Sequence, residues 1–336
     1  ILIDVKNVSL INKYLSEMTT NYMYQNYFYY SNVKRNQDLI RNIILKDFDN
    51  TEEFINVNKL CFYNYKKDIE RFPKKLTVLG SEKHPFISTN LKCDIPNSVK
   101  HLYLGYSNKY IKLPNNLLTL EMHFLSGNKF INGFPDTIKT LIIKDSLLDF
   151  DFPKNITNLT LDLVLHDNSI LPKIPATVTH LRFGNSFNHE ISYSLPDNLT
   201  HLEFGDDFNQ NLKSKLPVSL IKLTLGMKYS YTLDTKELVK YPHFDLINLR
   251  YFNLCVYVGR IKDICNSVTS IEILLDRFDD NNKLEFKYDL KKIVFGSGCN
   301  YFIKKYPTNL ESLVFGHYYR KSFLTKLPDT LEYLNL

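Results

Sequence analysis

No Cys-x-x-Cys pair occurs in this chain. Its five cysteines, Cys61, Cys93, Cys255, Cys265 and Cys299, are scattered and odd in number. That pattern excludes a disulfide framework and a zinc ribbon, and it reads as free thiols in a reducing, cytoplasmic compartment. No apolar run approaches the roughly 18 residues of a membrane span. Charge of one sign is also scarce: the net charge of +6 over 336 residues falls short of the basic stripe of a nucleic-acid groove. Neither nucleic acid nor membrane is therefore expected as a partner. Glycine is sparse, with eleven in the chain. The one fragment that looks like a phosphate loop, Gly296-Ser297-Gly298, lacks the lysine and the helix such loops need.

What is present is apolar material, 44% of the chain, arranged with a period of about twenty-one residues. The unit reads Pro-x-x-Leu-x-x-Leu-x-Phe-Gly. It appears at Pro175 (Val178, Leu181, Phe183, Gly184), Pro196 (Leu199, Leu202, Phe204, Gly205) and Pro217 (Leu220, Leu223, Leu225, Gly226). It returns at Pro307 (Leu310, Leu313, Phe315, Gly316) and Pro328 (Leu331, Leu334, Leu336), and further starts fall at Pro73, Pro96, Pro114, Pro135 and Pro153. Without the proline, the apolar spacing continues through Leu249-Phe252-Leu254, Val268-Ile271-Ile273 and Leu290-Ile293-Phe295. Upstream it is met at Val57-Leu60-Phe62 and Ile40-Ile43-Leu45. The longest gap holds an insertion around Met227–Asp245.

A period of this length predicts a repeat solenoid, leucine-rich-repeat-like, of about fifteen turns. Leu-x-Phe alternation puts two side chains on one face of a short strand, and each strand should pair in parallel with the next turn. The opposite face is expected to carry irregular turns. Proline opens the unit where a missing N–H is tolerated, and glycine after the strand permits a bend, including positive φ. After the glycine, Phe187-Asn188 and Phe208-Asn209 occupy matching places, echoed by Tyr110, Phe130 and Phe302. The ring can fill the core beneath the loop and the amide can bond backbone groups left unpaired at the bend. Of the Asn-x-Ser/Thr triplets at Asn7, Asn155, Asn158 and Asn198, Asn155 and Asn198 stand just ahead of predicted strands and are read as unmodified.

The run at residues 183 to 205, Phe-Gly-Asn-Ser-Phe-Asn-His-Glu-Ile followed by Leu-Pro-Asp-Asn-Leu-Thr-His-Leu-Glu-Phe-Gly, resembles the FNIP repeat. That is a relative of leucine-rich repeats common in social amoebae and in giant DNA viruses that infect amoebae. The resemblance spans about residues 73 to 336, is strongest from 171 to 226, and is eroded from 227 to 300. Together with the upstream spacing at Ile40 and Val57, it leads to the expectation of a solenoid over 37–336 preceded by a segment of another kind.

Residues 1 to 36 do not fit the repeat. Val8, Ile11 and Leu15 lie at helical spacing, which predicts a short amphipathic helix through about Met18, followed by a tyrosine-dense stretch, Asn21 to Tyr30. One reading is an end cap for the first turn. The other follows from the resemblance, because viral FNIP proteins often begin with an F-box, which docks on the adaptor subunit of a cullin–RING ubiquitin ligase. Leu2 to Leu15 is similar to an F-box opening, with Val5, Val8, Ile11 and Leu15 as candidate adaptor contacts. The family's Leu-Pro falls on Val5-Lys6, so its proline is absent. The chain opens at Ile1 rather than Met, and sequence upstream is expected.

Residues between the inward positions should point outwards. The candidate binding residues on that sheet face are His101, Tyr103, Glu121, His180, Arg182, His201, Glu203 and Lys222. His180 and His201 hold equivalent places in adjacent turns, and no third ligand in the same columns completes a metal site. No nucleophile–base pair can be argued from spacing. The sequence therefore points away from an enzyme or a cofactor. It points to a recognition protein with a protein partner on the sheet face, serving as substrate receptor of a ligase if the F-box resemblance holds. The alternative is a structural or host-factor-binding scaffold with no ubiquitin role. A viral origin would place either in the host cytoplasm.

Overall fold

The computed structural model describes residues 57–62, 69, 71–82, 93–105, 110–124, 129–145, 151–163, 171, 173–210, 212, 216–226, 228–229, 290–296, 302–317, 319–320, 323 and 326–336. It also gives the backbone of short strands at 28–29, 42–45, 251–254, 270–273 and 283–285. Among the described residues the regular elements are strands linked by turns, and no helix is long and apolar enough to cross a membrane. The chain divides into two compact units, Ile1–Ile156 and Thr157–Leu336.

The repeat begins with a turn. The proline carbonyl accepts a hydrogen bond from the N–H three residues on: Leu76 to Pro73 (3.2 Å), Val99 to Pro96 (3.0 Å), Leu199 to Pro196 (3.0 Å) and Leu310 to Pro307 (3.4 Å). Proline therefore supplies the acceptor of a reverse turn and withholds a donor that has no partner at that point. The residue that donates drops into the core; Leu76, Val99, Leu117, Ile138, Val178, Leu199, Leu220 and Leu310 are all fully buried. This explains the first Leu of the motif, which precedes the strand.

In the first unit the strands are β1 (Phe28–Tyr29), β2 (Asn42–Leu45), β3 (Lys59–Phe62), β4 (Val78–Leu79), β5 (His101–Leu104), β6 (Tyr110–Ile111), β7 (Thr119–Phe124), β8 (Lys129–Phe130) and β9 (Thr140–Asp145). The main ladder runs β1-β2-β3-β4-β5-β7-β9, every pair parallel. The tyrosine-dense stretch held apart from the repeats contains β1, which pairs Phe28 with Ile43. The helix expected before it, through Met18, lies outside the described residues. A second small ladder joins β6 to β8, where sequence pattern suggested irregular turns.

The second unit holds β10 (Asn158–Leu163), β11 (His180–Phe183), β12 (His201–Glu203), β13 (Lys222–Leu225), β14 (Tyr251–Leu254), β15 (Ser270–Ile273), β16 (Lys283–Glu285), β17 (Lys292–Phe295), β18 (Phe302–Lys305), β19 (Ser312–Val314) and β20 (Tyr333–Asn335). Its main ladder is parallel, with β16 and β18 forming a separate pair. The fold is thus a parallel β-solenoid. Across the stretch where the prolines vanish, register persists: Leu223 faces Phe252, Phe252 faces Ile271, and Ile271 faces Ile293. The ladder therefore continues through strands that no proline turn precedes. The insertion after Met227 falls largely outside the described residues.

Aromatic side chains build continuous stacks along the coil axis. Phe183 and Phe204 lie 5.1 Å apart between ring centroids and nearly parallel, as do Phe187 and Phe208 at 6.0 Å and Phe208 and Tyr229 at 5.9 Å. Within a turn, Phe204 lies 3.8 Å from Phe208. All four phenylalanines are fully buried, each stabilising the fold by about 1.5–3 kcal/mol through removal from water. The asparagine beside them acts as expected: Asn188 Oδ1 accepts the N–H of Asn209 at 2.8 Å.

The glycines differ from the expectation. Positive φ occurs at Gly80 (80°) and Gly133 (64°), whereas Gly184, Gly205 and Gly226 lie outside that region. Their reason is space. A Cβ on Gly205 would strike the Gly184 carbonyl and the Asn185 backbone, and one on Gly226 would strike the Gly205 carbonyl.

Candidate functional site

In β5, β10, β11, β12 and β13 the inward column is consumed by the core, so chemistry available to a partner there must sit on the alternate positions. In β11 these are His180 and Arg182, exposed between buried Leu181 and Phe183. Parallel pairing without slippage then aligns equivalent residues of successive turns. His180 faces His201 and His201 faces Lys222; beside them, Arg182 faces Glu203 and Glu203 faces Thr224.

The two imidazoles stack, with centroids 4.2 Å apart and planes 13° from parallel. Their orientation is held by the preceding threonines. Thr179 Oγ1 donates to the Thr157 carbonyl (3.3 Å) and Thr200 Oγ1 to the Thr179 carbonyl (3.0 Å). Each hydroxyl has one proton, so each receives its second hydrogen bond from the neighbouring ring: His180 Nδ1–H and His201 Nδ1–H, both at 2.9 Å. The basic nitrogen left on each ring is Nε2. Burial, the His180 ring and the Lys222 charge together hold the His201 pKa below its ordinary value. Stacked rings with parallel lone pairs cannot converge on one metal ion, which needs ligands splayed around it. Among the described residues, no group of three or more His, Cys, Asp or Glu is placed to hold a metal.

Arg182 Nε lies 3.0 Å from Glu203 Oε1, with both side chains substantially exposed. Such a pair contributes about 0–1 kcal/mol, and it neutralises the glutamate. Lys222 has no ion-pair partner among the described residues.

The candidates of the first unit form a second group. His101 faces Thr119, and Tyr103 faces Glu121. Burial, with Lys59 and Lys100 nearby, lowers the His101 pKa. Burial raises that of Tyr103, reinforced by the charges of Glu121 and Glu82 and by the Cys61 thiol. Glu121 departs from its expected exposure: it occupies an outward position yet is 4% exposed. It pairs with Lys144 at 2.6 Å, and Lys144 also lies 3.9 Å from Glu82. The adaptor candidates Val5, Val8, Ile11 and Leu15 fall outside the described residues.

Two sets of residues escaped the sequence reading. Thr179 and Thr200 could have been found, because Thr-His-Leu recurs at 179–181 and 200–202. Lys144 carried no such signal; its tie to Glu121 is diagonal across β7 and β9 and depends on where long side chains reach.

Two overlapping windows, residues 166–207 and 187–228, match the FNIP Repeat. Residues 166–228 are thus similar to FNIP repeats, and the fold is that of a leucine-rich-repeat-like solenoid. A solved structure described as CroV588, a novel circular LRR protein structure, resembles it with a TM-score of 0.50 at 21% identity. The likeness covers 89% of this chain and 57% of that one, so this chain spans little more than half the length of its structural relative. At that identity the likeness speaks to fold. No curated protein matches the chain.

Proposed function

We propose that this chain is a non-enzymatic recognition protein that binds a protein partner on the outer face of its parallel ladder. The observation that carries the reading is the in-register placement of His180, His201 and Lys222 beside Arg182 and Glu203. A stacked ladder fixes these side chains on a rigid base, and a mixture of aromatic, cationic and anionic groups on one face suits protein recognition. The scattered, odd-numbered cysteines of the sequence favour a reducing, cytoplasmic setting.

The finer proposal is that Leu2–Leu15 docks on the adaptor of a cullin–RING ligase, making the sheet face its substrate receptor. Because β1 begins at Phe28, removing residues 1–36 would strip a strand from the ladder. The cleaner test keeps the full chain and changes Ile11 and Leu15 to Asp. Calorimetric titration against the adaptor should show binding that these changes abolish. If the unaltered chain shows no heat of binding, the ligase role falls and the protein is an interaction scaffold, the reading that the missing proline at Lys6 favours.

A further inference from the structure

The outer face of β11–β13 has an uneven charge. Glu203, the one acidic residue among the paired outward positions of these three strands, is taken by Arg182. His180, His201 and Lys222 then form a line of potential cations, without an anionic partner among the described residues. The groups that face the two rings are few. On β10 the outward residues are Asn158, Thr160 and Asp162; on β13 they are Lys222 and Thr224. Asn158 lies across from His180, whereas Lys222 lies across from His201.

The threonine bonds give this line a property that composition does not. With Nδ1–H committed to Thr179 and Thr200, each ring meets a partner through Nε2. A neutral Nε2 is an acceptor and repels a carboxylate; a protonated one donates to it. Stacking at 4.2 Å disfavours charging both rings at once.

We propose that His180, His201 and Lys222 form a proton-gated strip that takes an acidic peptide segment of the protein partner. Its carboxylates meet a protonated Nε2 edge of the stacked pair and the Lys222 ammonium. This rests on the recognition reading above and adds the chemistry of the partner and the condition for binding. Charge complementarity chooses the occupant, because a basic or neutral segment would leave the line uncompensated. Association takes up a proton, so affinity rises as pH falls through the histidine range, until the partner's own carboxylates protonate.

The test uses the full chain with two labelled peptides, one alternating Glu and Gly and one alternating Gln and Gly, read by fluorescence anisotropy. The Glu peptide should bind about tenfold more tightly near pH 6 than near pH 8, and the Gln peptide should not bind at either pH. The double variant H180Q/H201Q should lose the pH dependence. K222Q should weaken binding about tenfold at both pH values. K326Q, at an exposed lysine paired to Asp329, should behave as the unaltered chain. Circular dichroism checks that each variant keeps its sheet. Absence of Glu-peptide binding overturns the proposal, as does equal binding by the triple variant H180Q/H201Q/K222Q. A random-peptide display selection on the same chain separates the two levels of the reading. Enrichment of non-acidic peptides released by K222Q overturns the acidic strip and leaves recognition standing. Enrichment of nothing overturns both.

Discussion

Gly205 lies so close to Gly184, one turn earlier, that a Cβ on Gly205 would collide with the Gly184 carbonyl oxygen. Gly226 repeats the relationship against Gly205, so the column is one of close backbone approach. Gly133 is the opposite case: φ is +64° and no atom lies within 4 Å of where its Cβ would be. Asn tolerates positive φ and cannot shrink its Cβ. G133N is therefore expected to be nearly neutral in urea unfolding, while G205N and G205A each lose about 1–3 kcal/mol. Equal losses at the two sites would refute the spatial explanation.

The phenylalanine stack should respond to truncation as a packed core does. Phe208 is fully buried between Phe187 and Tyr229 along the axis and against Phe204 within its turn. F208A should destabilise by about 3–5 kcal/mol and F208L by clearly less. Chemical denaturation of both variants decides it, and a loss below that of an exposed substitution would show that the stack carries little.

Glu121 and Lys144 form an ion pair whose carboxylate side chain is 6% exposed and whose ammonium side chain is 19% exposed. Removing the cation strands a buried charge. K144M is expected to lose about 3–5 kcal/mol, whereas the double change E121L/K144M recovers much of that loss. A double-mutant cycle reads the coupling; additive losses would mean that the pair is not coupled.

Protonation of His201 is disfavoured in the fold, and so is that of His101. With folded pKa values below the unfolded value of about 6.5, the unfolded chain binds more protons in that range. Stability is therefore full above it and declines as pH falls through it. Urea unfolding repeated at steps from about pH 8 to pH 5 should show that decline, flattened in H101Q/H201Q. A slope unchanged in that variant would locate the titration elsewhere. Nitrogen NMR should find both His180 and His201 as the Nδ1–H tautomer when neutral, and T200V should release His201 from it.

Much of the fold was legible because the repeat is local and periodic. The spacing from Pro196 to Leu199, Leu202 and Phe204 contains the turn, the strand and its buried face. The same spacing carried the register through Phe252, Ile271 and Ile293 after the prolines had gone. The alignment of His180 with His201 followed from it, since parallel pairing of equal units leaves no freedom of register. β1 was missed because two aromatic residues, Phe28 and Tyr29, sit in a tyrosine-dense stretch without the Pro or Leu of the motif.

Sequence alone determined the period, the inward column and the identities on the outer face, because each depends on residues a few positions apart. Tertiary structure decided what happens between turns. It showed that Gly205 exists for a neighbouring carbonyl, that Thr200 orients His201 through a proton already committed to Thr179, and that Glu121 is buried despite an outward position. Each of these contacts joins atoms about twenty residues apart along the chain. The distances between them are set by how closely successive turns stack, which no single repeat encodes.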